Sequence, residues 1–224
     1  MNTFAIVPVK SFKSAKSRLG TVLDPHERTQ LSAFLVKRTI CVLKKTSNID
    51  KILLVSPDPR VEKIACRYGA TFLKEDFDSG VNSAVNKADD FCIASGAEAT
   101  LVLPIDLPLM IPEDIDIICE SALSDSHCMI LCPSYKFDGS NVLLRKPCDI
   151  IGTSYDANSY PMHVLAGIRK NIKIRVLFLN RLMIDIDTFQ DIKKMLTMYE
   201  KDDQISRYLK AILTDEKTNG KSII

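Results

Sequence analysis

The first half of this chain alternates short apolar runs with longer segments of helical spacing. Each apolar run has the composition of a buried β-strand, and the segment after it repeats apolar residues at the spacing of a helix packed on a sheet. Strict alternation of this kind predicts parallel strands with helices on both faces. We therefore predict an α/β, Rossmann-like fold with a mixed, mainly parallel sheet. The strand runs are Phe4–Val9, Lys51–Val55, Thr71–Leu73 and Thr100–Leu103.

The pattern changes after Ser124, where strand-like runs are no longer followed at once by helical segments. We expect this later half to carry the substrate side of one domain that covers residues 1–224. Its predicted strands are Cys128–Pro133, Val142–Leu144 and Ile174–Leu179, and its predicted helices are 162–170, 189–199 and 204–213.

Composition is that of an ordinary globular protein. Of the 224 residues, 46% are hydrophobic and 26% charged, and the formal net charge is +2. No overall field therefore favours nucleic acid or an anionic membrane surface. No apolar run approaches the roughly 20 residues that span a bilayer, and the chain enters its first strand without a signal-like leader. We expect a cytoplasmic protein without nucleic-acid or membrane partners.

Cysteine and histidine usage argues against a structural metal. The chain has seven cysteines and three histidines. The cysteine count is odd, no pair has Cys-x-x-Cys spacing, and most lie in apolar runs, where a thiol behaves as a small hydrophobe. We expect no structural zinc site.

One carboxylate stands directly after the fourth apolar run, in the stretch Pro104-Ile105-Asp106-Leu107-Pro108-Leu109. Open α/β sheets bind ligands beyond the carboxyl ends of their strands. The prolines restrict the backbone around Asp106, so its side chain should be aimed at the cleft, where it is a candidate metal ligand for a phosphate substrate. The alternative is a loop Asp that caps the helix starting near Pro112, and local sequence leaves both open.

The loop from Lys10 to Arg18 carries four cations among small residues and joins strand one to helix one. In a doubly wound fold this loop faces the same cleft as Asp106. Its cations and backbone amides could hold a triphosphate. It matches neither the P-loop nor the dinucleotide-binding fingerprint, and a solvated basic loop is the alternative.

A second pair of carboxylates, Asp185 and Asp187, flanks Ile186. We expect the two side chains to face different ways. One of them could join Asp106 on a divalent cation, and we favour Asp187 with Asp185 as its neighbour. Asp187 could instead cap the helix that follows.

Three polar clusters remain. Asn82, in the loop-to-helix stretch that begins at Asp78, offers a paired donor and acceptor suited to a base edge or a ribose hydroxyl; a turn and cap is the alternative. The clusters Gly139–Asn141 and Asn158–His163 could bind small phosphates or carboxylates, although His163 could be a plain helix-surface residue.

Together these motifs resemble, in order and over almost the whole length, the 2-phospho-L-lactate guanylyltransferase family. These are archaeal enzymes that activate phospholactate in the synthesis of the deazaflavin coenzyme F(420). The opening, Val-Pro-Val-Lys followed by Ala-Lys-Ser-Arg-Leu, is the most specific part. The residues that carry the resemblance are Val7–Lys10, Ala15–Leu19, Ser56–Asp58, Asn82, Asp106–Leu109, Gly139–Asn141, Ser159, His163 and Asp185–Asp187.

The resemblance implies a nucleotide-diphospho-sugar-transferase-like fold, and GTP, 2-phospholactate or phosphoenolpyruvate, and Mg²⁺ as ligands. It divides the chain into a nucleotide-binding half, about 1–123, and an acceptor-binding half with C-terminal helices, about 124–224. It implies catalytic roles for Lys16, Arg18 and Asp106, and Mg²⁺ ligation by Asp106 and Asp187. The implied nucleotide contacts are Pro8, Val9, Lys10, Lys16, Arg18, Ser56, Asp78, Asn82 and Pro104. The implied acceptor contacts are Ser140, Asn141, Asp156, Ser159 and His163.

Two departures from the family pattern concern the acceptor. Ser140 stands where the family usually has Thr, which keeps a hydroxyl. Asp156 stands where it usually has Gly, which places a negative charge where an anion should dock. A homodimer is also expected, and the apolar stripe Met195, Met198, Ile205, Tyr208 and Leu209 could be core or a dimer face.

Two other functions stay open at this point. One is a related nucleotidyltransferase with another base or acceptor, such as a cytidylyl- or molybdopterin-guanylyltransferase. The other is a nucleotide-binding domain without turnover.

Overall fold

Seven β-strands form one sheet in the part of the chain that the computed structural model describes, residues 1–198 and 205–211. The strands are β1 (Thr3–Pro8), β2 (Lys51–Ser56), β3 (Thr71–Lys74), β4 (Ala99–Val102), β5 (Cys128–Pro133), β6 (Ser140–Lys146) and β7 (Lys173–Val176). The helices are α1 (Pro25–Leu43), α2 (Pro59–Tyr68), α3 (Val81–Ala94), α4 (Pro112–Glu120), α5 (Ser159–Arg169), α6 (Asn180–Met183) and α7 (Phe189–Met198), and residues 205–211 are also helical.

The strand order is β3-β2-β1-β4-β6-β5-β7. Strands β3, β2, β1 and β4 are parallel neighbours, β6 is antiparallel to both β4 and β5, and β7 is parallel to β5. The predicted mixed, mainly parallel sheet is therefore correct. The chain leaves β1 towards β2 and later returns to its other side as β4, so the order reverses between β1 and β4. A reversal of this kind is where open α/β sheets bind ligands.

Both faces of the sheet are buried, as the apolar strand runs predicted. Side chains of β1 alternate between two cores: Ala5 and Val7 pack with α1 and α4, whereas Phe4 and Ile6 pack with α3. The stripe near the C-terminus is mostly core rather than a dimer face. Of its members, Met195, Ile205 and Leu209 are buried, Tyr208 is partly buried, and Met198 is exposed.

Local signals placed most helix ends correctly. Asp24 forms the capping box of α1 with Glu27, and Gly69 takes the left-handed conformation (φ 68°) that ends α2. The second half differs more: α5 starts at Ser159, earlier than expected, and β7 ends at Val176. The chain then forms the short helix α6, which we did not predict because the apolar run up to Leu179 was interpreted as strand.

A buried ion pair fastens α3 to the middle of the sheet. Arg145 on β6 donates bidentate hydrogen bonds of 2.8 and 2.5 Å to Asp89 on α3, and a third bond of 3.0 Å to the Thr100 hydroxyl on β4. The guanidinium is almost fully buried, so the pair must stay together. It fixes α3 against the strands that carry the clefts described below.

No helix in the described ranges is long and apolar enough to span a membrane. All seven cysteines are free thiols.

Candidate active site

Two clefts open along the carboxyl ends of the strands. The first, here called the β1–β4 cleft, has a volume of about 400 Å³ and lies at the reversal of strand order; its walls include Pro8, Lys10, Lys16, Val81, Pro104 and Asp106. The second, the β6–α5 cleft, has a volume of about 440 Å³; its walls include Ser134, Gly139, Asn141, Asp156, Ser159 and Asp185. Arg18 and Asp187 line both clefts. The two spaces therefore meet at one cation and one carboxylate.

Lys16 is turned inward between the two acidic segments. Its backbone is left-handed (φ 55°), which is uncommon for a residue with a side chain and is typical of functional sites. The side chain is only 3% exposed, and its Nζ lies 2.6 Å from Asp106 Oδ1 and 3.4 Å from Asp187 Oδ1. Nζ also donates a 2.6 Å hydrogen bond to the carbonyl of Ile186. One ammonium thus joins two loops that are distant in sequence.

The acidic segments are also joined through their backbones. The Ile186 nitrogen donates a 3.0 Å hydrogen bond to the Asp106 carbonyl, and the Ile186 side chain is fully buried. This anchor places Asp187 beside Asp106. Asp187 does not cap α7 with its own carboxylate, because Thr188 and Asp191 perform that task. The Asp187 carboxylate therefore faces Lys16 and Arg18 instead.

The carboxylates are held in an unusual electrostatic setting. Burial raises the pKa of Asp106, and the nearby Asp187 adds to the rise, while Lys16 opposes it. Burial and Asp187 likewise raise the pKa of Asp185. The Lys16 ammonium, 2.6 Å from Asp106 Oδ1, is the positive charge that faces this buried carboxylate. A buried carboxylate oxygen in this state is suited to bind a cation.

The same residues fit a divalent cation of the hard, oxygen-binding type. In residues 1–198 and 205–211, no group of three or more His, Cys, Asp or Glu side chains forms a complete metal cage. Mg²⁺ needs none, because it commonly takes one or two carboxylates and completes its shell with substrate phosphates and water. Asp106 and Asp187, which both face the Lys16 ammonium, would supply that pair. The expectation that Asp185 and Asp187 face different ways is wrong: both line the β6–α5 cleft, because side chains two positions apart in extended chain lie on the same face. Of the two, Asp187 also reaches the β1–β4 cleft.

The β6–α5 cleft is built from hydroxyls, amides and charged groups. Ser159, at the start of α5, accepts a 2.8 Å hydrogen bond from the Ser140 nitrogen. Ser134 donates to Asp138 and accepts from the Gly139 nitrogen, which closes the turn before β6, and the Ser134 hydroxyl lowers the pKa of Asp138. Asn141 donates to the Leu182 carbonyl and so attaches α6 to this wall.

His163 was expected to contact the acceptor, but it lies behind the cleft. It is fully buried; its Nε2 accepts a 2.9 Å hydrogen bond from the Ser154 nitrogen, and its Nδ1 lies 2.9 Å from Ser140 Oγ. Since Nε2 accepts, Nδ1 carries the proton and donates to Ser140. Burial lowers the pKa of His163 to about 4. The imidazole is therefore neutral and supports Ser140 rather than touching a ligand.

Several expected nucleotide contacts are also placed differently. Ser56 is fully buried, and its hydroxyl accepts from the Asp58 nitrogen. The Val9 side chain packs into the core between the cleft residues Pro8 and Lys10. Asp78 is exposed in the loop before α3, where its carboxylate accepts from the Gly80 nitrogen at 3.3 Å. Ser56 and the Val9 side chain therefore belong to the scaffold, whereas Asp78 lies in an exposed loop and is not among the residues that line the β1–β4 cleft.

Asn82 makes two hydrogen bonds to the opposite wall. Its Oδ1 accepts from the Tyr155 nitrogen and its Nδ2 donates to Asp156 Oδ2, both at 2.9 Å. The amide expected at the nucleoside therefore holds the loop before α5. No local sequence signal predicted this contact. By contrast, the role of Asp191 could have been found, because Thr188-x-x-Asp191 has the capping-box pattern.

Comparison with known proteins points to guanylyltransferases, both by family and by individual relatives. The family model described as "Guanylyl transferase CofC like" matches residues 3–222. A phosphoenolpyruvate guanylyltransferase of Rubrobacter xylanophilus is 34% identical over 195 residues, 87% of this chain and 94% of the relative. A 2-phospho-L-lactate guanylyltransferase of Methanobrevibacter smithii is 30% identical over 220 residues, 98% of this chain and 93% of the relative.

Solved structures match the fold. A structure from Desulfovibrio desulfuricans G20, described as a nucleotide-diphospho-sugar transferase, superposes with a TM-score of 0.73 at 15% identity. The match covers 96% of this chain and 98% of that one. At this identity the likeness concerns the fold, and it bears out the nucleotide-diphospho-sugar-transferase-like architecture predicted above.

Proposed function

The chain belongs to the CofC-like guanylyl transferase family, and from this premise we propose that it transfers GMP from GTP to 2-phospholactate. The products are lactyl-2-diphospho-5′-guanosine and pyrophosphate. The observation that carries the proposal is the junction of two clefts at Arg18 and Asp187. A guanylyl transfer needs two polyanions to meet at one phosphorus atom, and the junction offers a place for that meeting.

We assign GTP to the β1–β4 cleft, with its triphosphate near Lys10, Lys16 and Arg18. The acceptor enters the β6–α5 cleft, where Gly139, Asn141 and Ser159 line the wall. A phosphate oxygen of the acceptor attacks the α-phosphorus in line. The bond between the α-phosphorus and the bridging oxygen breaks, and pyrophosphate leaves with that electron pair. An ionised phosphate is already a nucleophile, so the step needs no general base.

The side chains mainly neutralise the charge of the phosphates and hold the two substrates in position. Lys16 and Arg18 offset the repulsion between the two anions and the charge that develops on the leaving pyrophosphate. Asp106 and Asp187 would hold Mg²⁺, which when bound supplies further neutralisation of phosphate charge. The Ile186–Asp106 backbone bond keeps both carboxylates in register for this task. Holding the two reactants in line supplies much of the remaining rate enhancement.

Phosphoenolpyruvate is the alternative acceptor, and the name of the Rubrobacter xylanophilus relative favours it. It carries the same phosphate and carboxylate on the same three carbons as phospholactate, and differs in having a double bond between C2 and C3. A pocket separates such neighbours by only about 1–3 kcal/mol. We expect both acceptors to bind the same wall and to differ in kcat/KM.

We also propose a cytoplasmic homodimer. Free thiols at all seven cysteines are typical of a reducing compartment. Helix α5 exposes Met162, Leu165 and Ile168 at spacings of three residues, which is an apolar face that a second copy could cover. Sedimentation velocity across a concentration series measures the oligomeric state, and a monomer at all concentrations would contradict the dimer.

The testing experiment measures pyrophosphate release with Mg²⁺, each of the four nucleoside triphosphates, and each acceptor. We expect release only with GTP, and with both acceptors at different kcat/KM. Asp106→Asn should abolish it, whereas Asp90→Asn, an exposed carboxylate on α3, should not. Release with CTP would indicate a related nucleotidyltransferase, and binding of GTP without release under any condition would indicate a non-catalytic domain.

A further inference from the structure

The segment Thr153–Asn158, here called the 153–158 loop, forms one wall of the β6–α5 cleft through Tyr155, Asp156 and Asn158. It has no regular secondary structure. Two side chains from different helices hold it. His163 on α5 accepts from the Ser154 nitrogen, and Asn82 on α3 binds the next two residues.

The Asn82 amide has a unique orientation here. Its oxygen faces the Tyr155 N–H and its nitrogen faces the Asp156 carboxylate. A flipped amide would set two donors against each other at Tyr155 and two acceptors against each other at Asp156, so the network itself assigns the atoms. The contact crosses between the two halves of the chain, since Asn82 and Asp156 are 74 positions apart.

The first turn of α3 also contacts the other cleft. Val81, the residue before Asn82, lines the β1–β4 cleft. Gly80 precedes it with φ +87°, a conformation that residues with side chains rarely adopt. Of two adjacent residues on one turn, Val81 therefore lines the β1–β4 cleft and Asn82 binds the loop that forms a wall of the β6–α5 cleft. The Arg145–Asp89 pair fixes the same helix to the sheet.

The Asn82–Asp156 contact bears on acceptor binding because Asp156 is negatively charged. Asp156 lines the cleft proposed for a phosphorylated carboxylic acid. The hydrogen bond from Asn82 ties one oxygen of this carboxylate to the cleft wall. Without that bond the carboxylate is able to rotate towards the acceptor, where like charges repel.

We propose that Asn82 is a positioning residue for the acceptor, which it serves by holding the 153–158 loop and by restraining the Asp156 carboxylate. This inference rests on the proposed function for the identity of the ligand in the β6–α5 cleft. It predicts that Asn82 governs the KM for the acceptor far more than the KM for GTP.

Steady-state kinetics of full-length variants test the prediction. Asn82→Ala should raise the acceptor KM about tenfold, the equivalent of one lost hydrogen bond, with the KM for GTP changed less than about twofold. The matched control is Asn86→Ala, an exposed residue one turn later on α3, which should leave both constants unchanged. The double variant Asn82→Ala/Asp156→Asn should recover part of the acceptor affinity, because the freed side chain then carries no charge. Loss of loop order alone would give no such rescue.

Amide hydrogen exchange supplies a readout that does not depend on turnover. Asn82→Ala removes the acceptor of the Tyr155 N–H, so exchange in a peptide covering the 153–158 loop should become faster. Asn86→Ala should leave it unchanged. Unchanged exchange in Asn82→Ala, or an equal rise in the KM values for GTP and acceptor, would overturn the inference. If the wild-type protein transfers no GMP, the proposed function fails, while faster exchange would still support the structural role of Asn82.

Discussion

Lys16 Nζ lies 2.6 Å from the Asp106 carboxylate, and both groups come from loops that follow neighbouring parallel strands. The ammonium is buried against the two carboxylates that the proposed mechanism needs. This pair therefore connects the loop proposed to bind phosphate to the loop proposed to hold Mg²⁺. Loss of the Lys16–Asp106 pair should therefore lower the rate of catalysis more than it destabilises the rest of the fold.

The first prediction concerns that ammonium. Lys16→Gln removes the positive charge but keeps a hydrogen-bond donor, and kcat/KM for GTP should fall about 10²–10³-fold. Lys13→Gln is the matched control, since Lys13 is an exposed lysine of the same loop that lines neither cleft. Pyrophosphate release measures both variants. Equal activity in the two would show that Lys16 is not part of the reaction site.

Arg18 should act on both substrates. Its guanidinium lines both clefts and lies 3.4 Å from Asp187 Oδ2. Arg18→Ala should raise the KM values for GTP and for the acceptor about tenfold each, because one charge-assisted contact is lost to each anion. Arg67→Ala, an exposed arginine at the end of α2, serves as the control. A rise in only one of the two constants would place Arg18 at one substrate alone.

The roles of Asp187 and Asp185 can be distinguished by how much Mg²⁺ each variant needs for activity. Asp187→Asn should raise the Mg²⁺ concentration for half-maximal activity at least about tenfold, because a carboxylate ligand is lost. Asp185→Asn, which lines only the β6–α5 cleft, should raise it less than about twofold. A magnesium titration at saturating GTP compares the two. The opposite order would assign the metal to Asp185.

His163 makes stability depend on pH. Its pKa is lowered from 6.5 to about 4 by burial, so above pH 6.5 the neutral ring is present in both folded and unfolded states. As pH falls below 6.5 the unfolded chain takes up a proton that the folded chain refuses, and stability decreases until about pH 4. Between pH 7 and pH 5 this amounts to about 2 kcal/mol.

Urea unfolding at several pH values measures this slope. His163→Gln should remove it, whereas His127→Gln, at an exposed histidine, should keep it. A wild-type stability that stays flat between pH 7 and pH 5 would contradict the assignment. The direction of the slope is diagnostic, because a histidine stabilised in its charged form would make the folded state more stable as pH falls.

Much of the fold follows from local pattern. Apolar runs over the first half predicted β1 to β4 within a residue or two, because a strand buried on both faces admits little polar sequence. Asp24 and Gly69 marked helix ends, because their side chain and backbone properties act within one turn. The short helix α6 was missed because an apolar run alone does not separate strand from helix.

The candidate site was predicted in part. Pro8, Lys10, Lys16, Arg18, Pro104, Asp106 and Asp187 line the β1–β4 cleft as expected. Their location follows from topology, since residues just past the carboxyl ends of adjacent parallel strands must lie at one edge of the sheet. Ser56 and His163 are buried instead, because hydrogen bonds with backbone and side-chain groups hold them in the scaffold.

The sequence by itself determined most of the strands and helices, the parallel core of the sheet, and the edge at which the acidic and basic loops gather. These properties depend on short-range periodicity and on the handedness of strand connections. The tertiary structure alone decided that Lys16 lies between Asp106 and Asp187, and that Asn82 turns towards the 153–158 loop. Those directions depend on groups 70 or more positions away in the chain, and irregular loops have no local period that would fix where a side chain points.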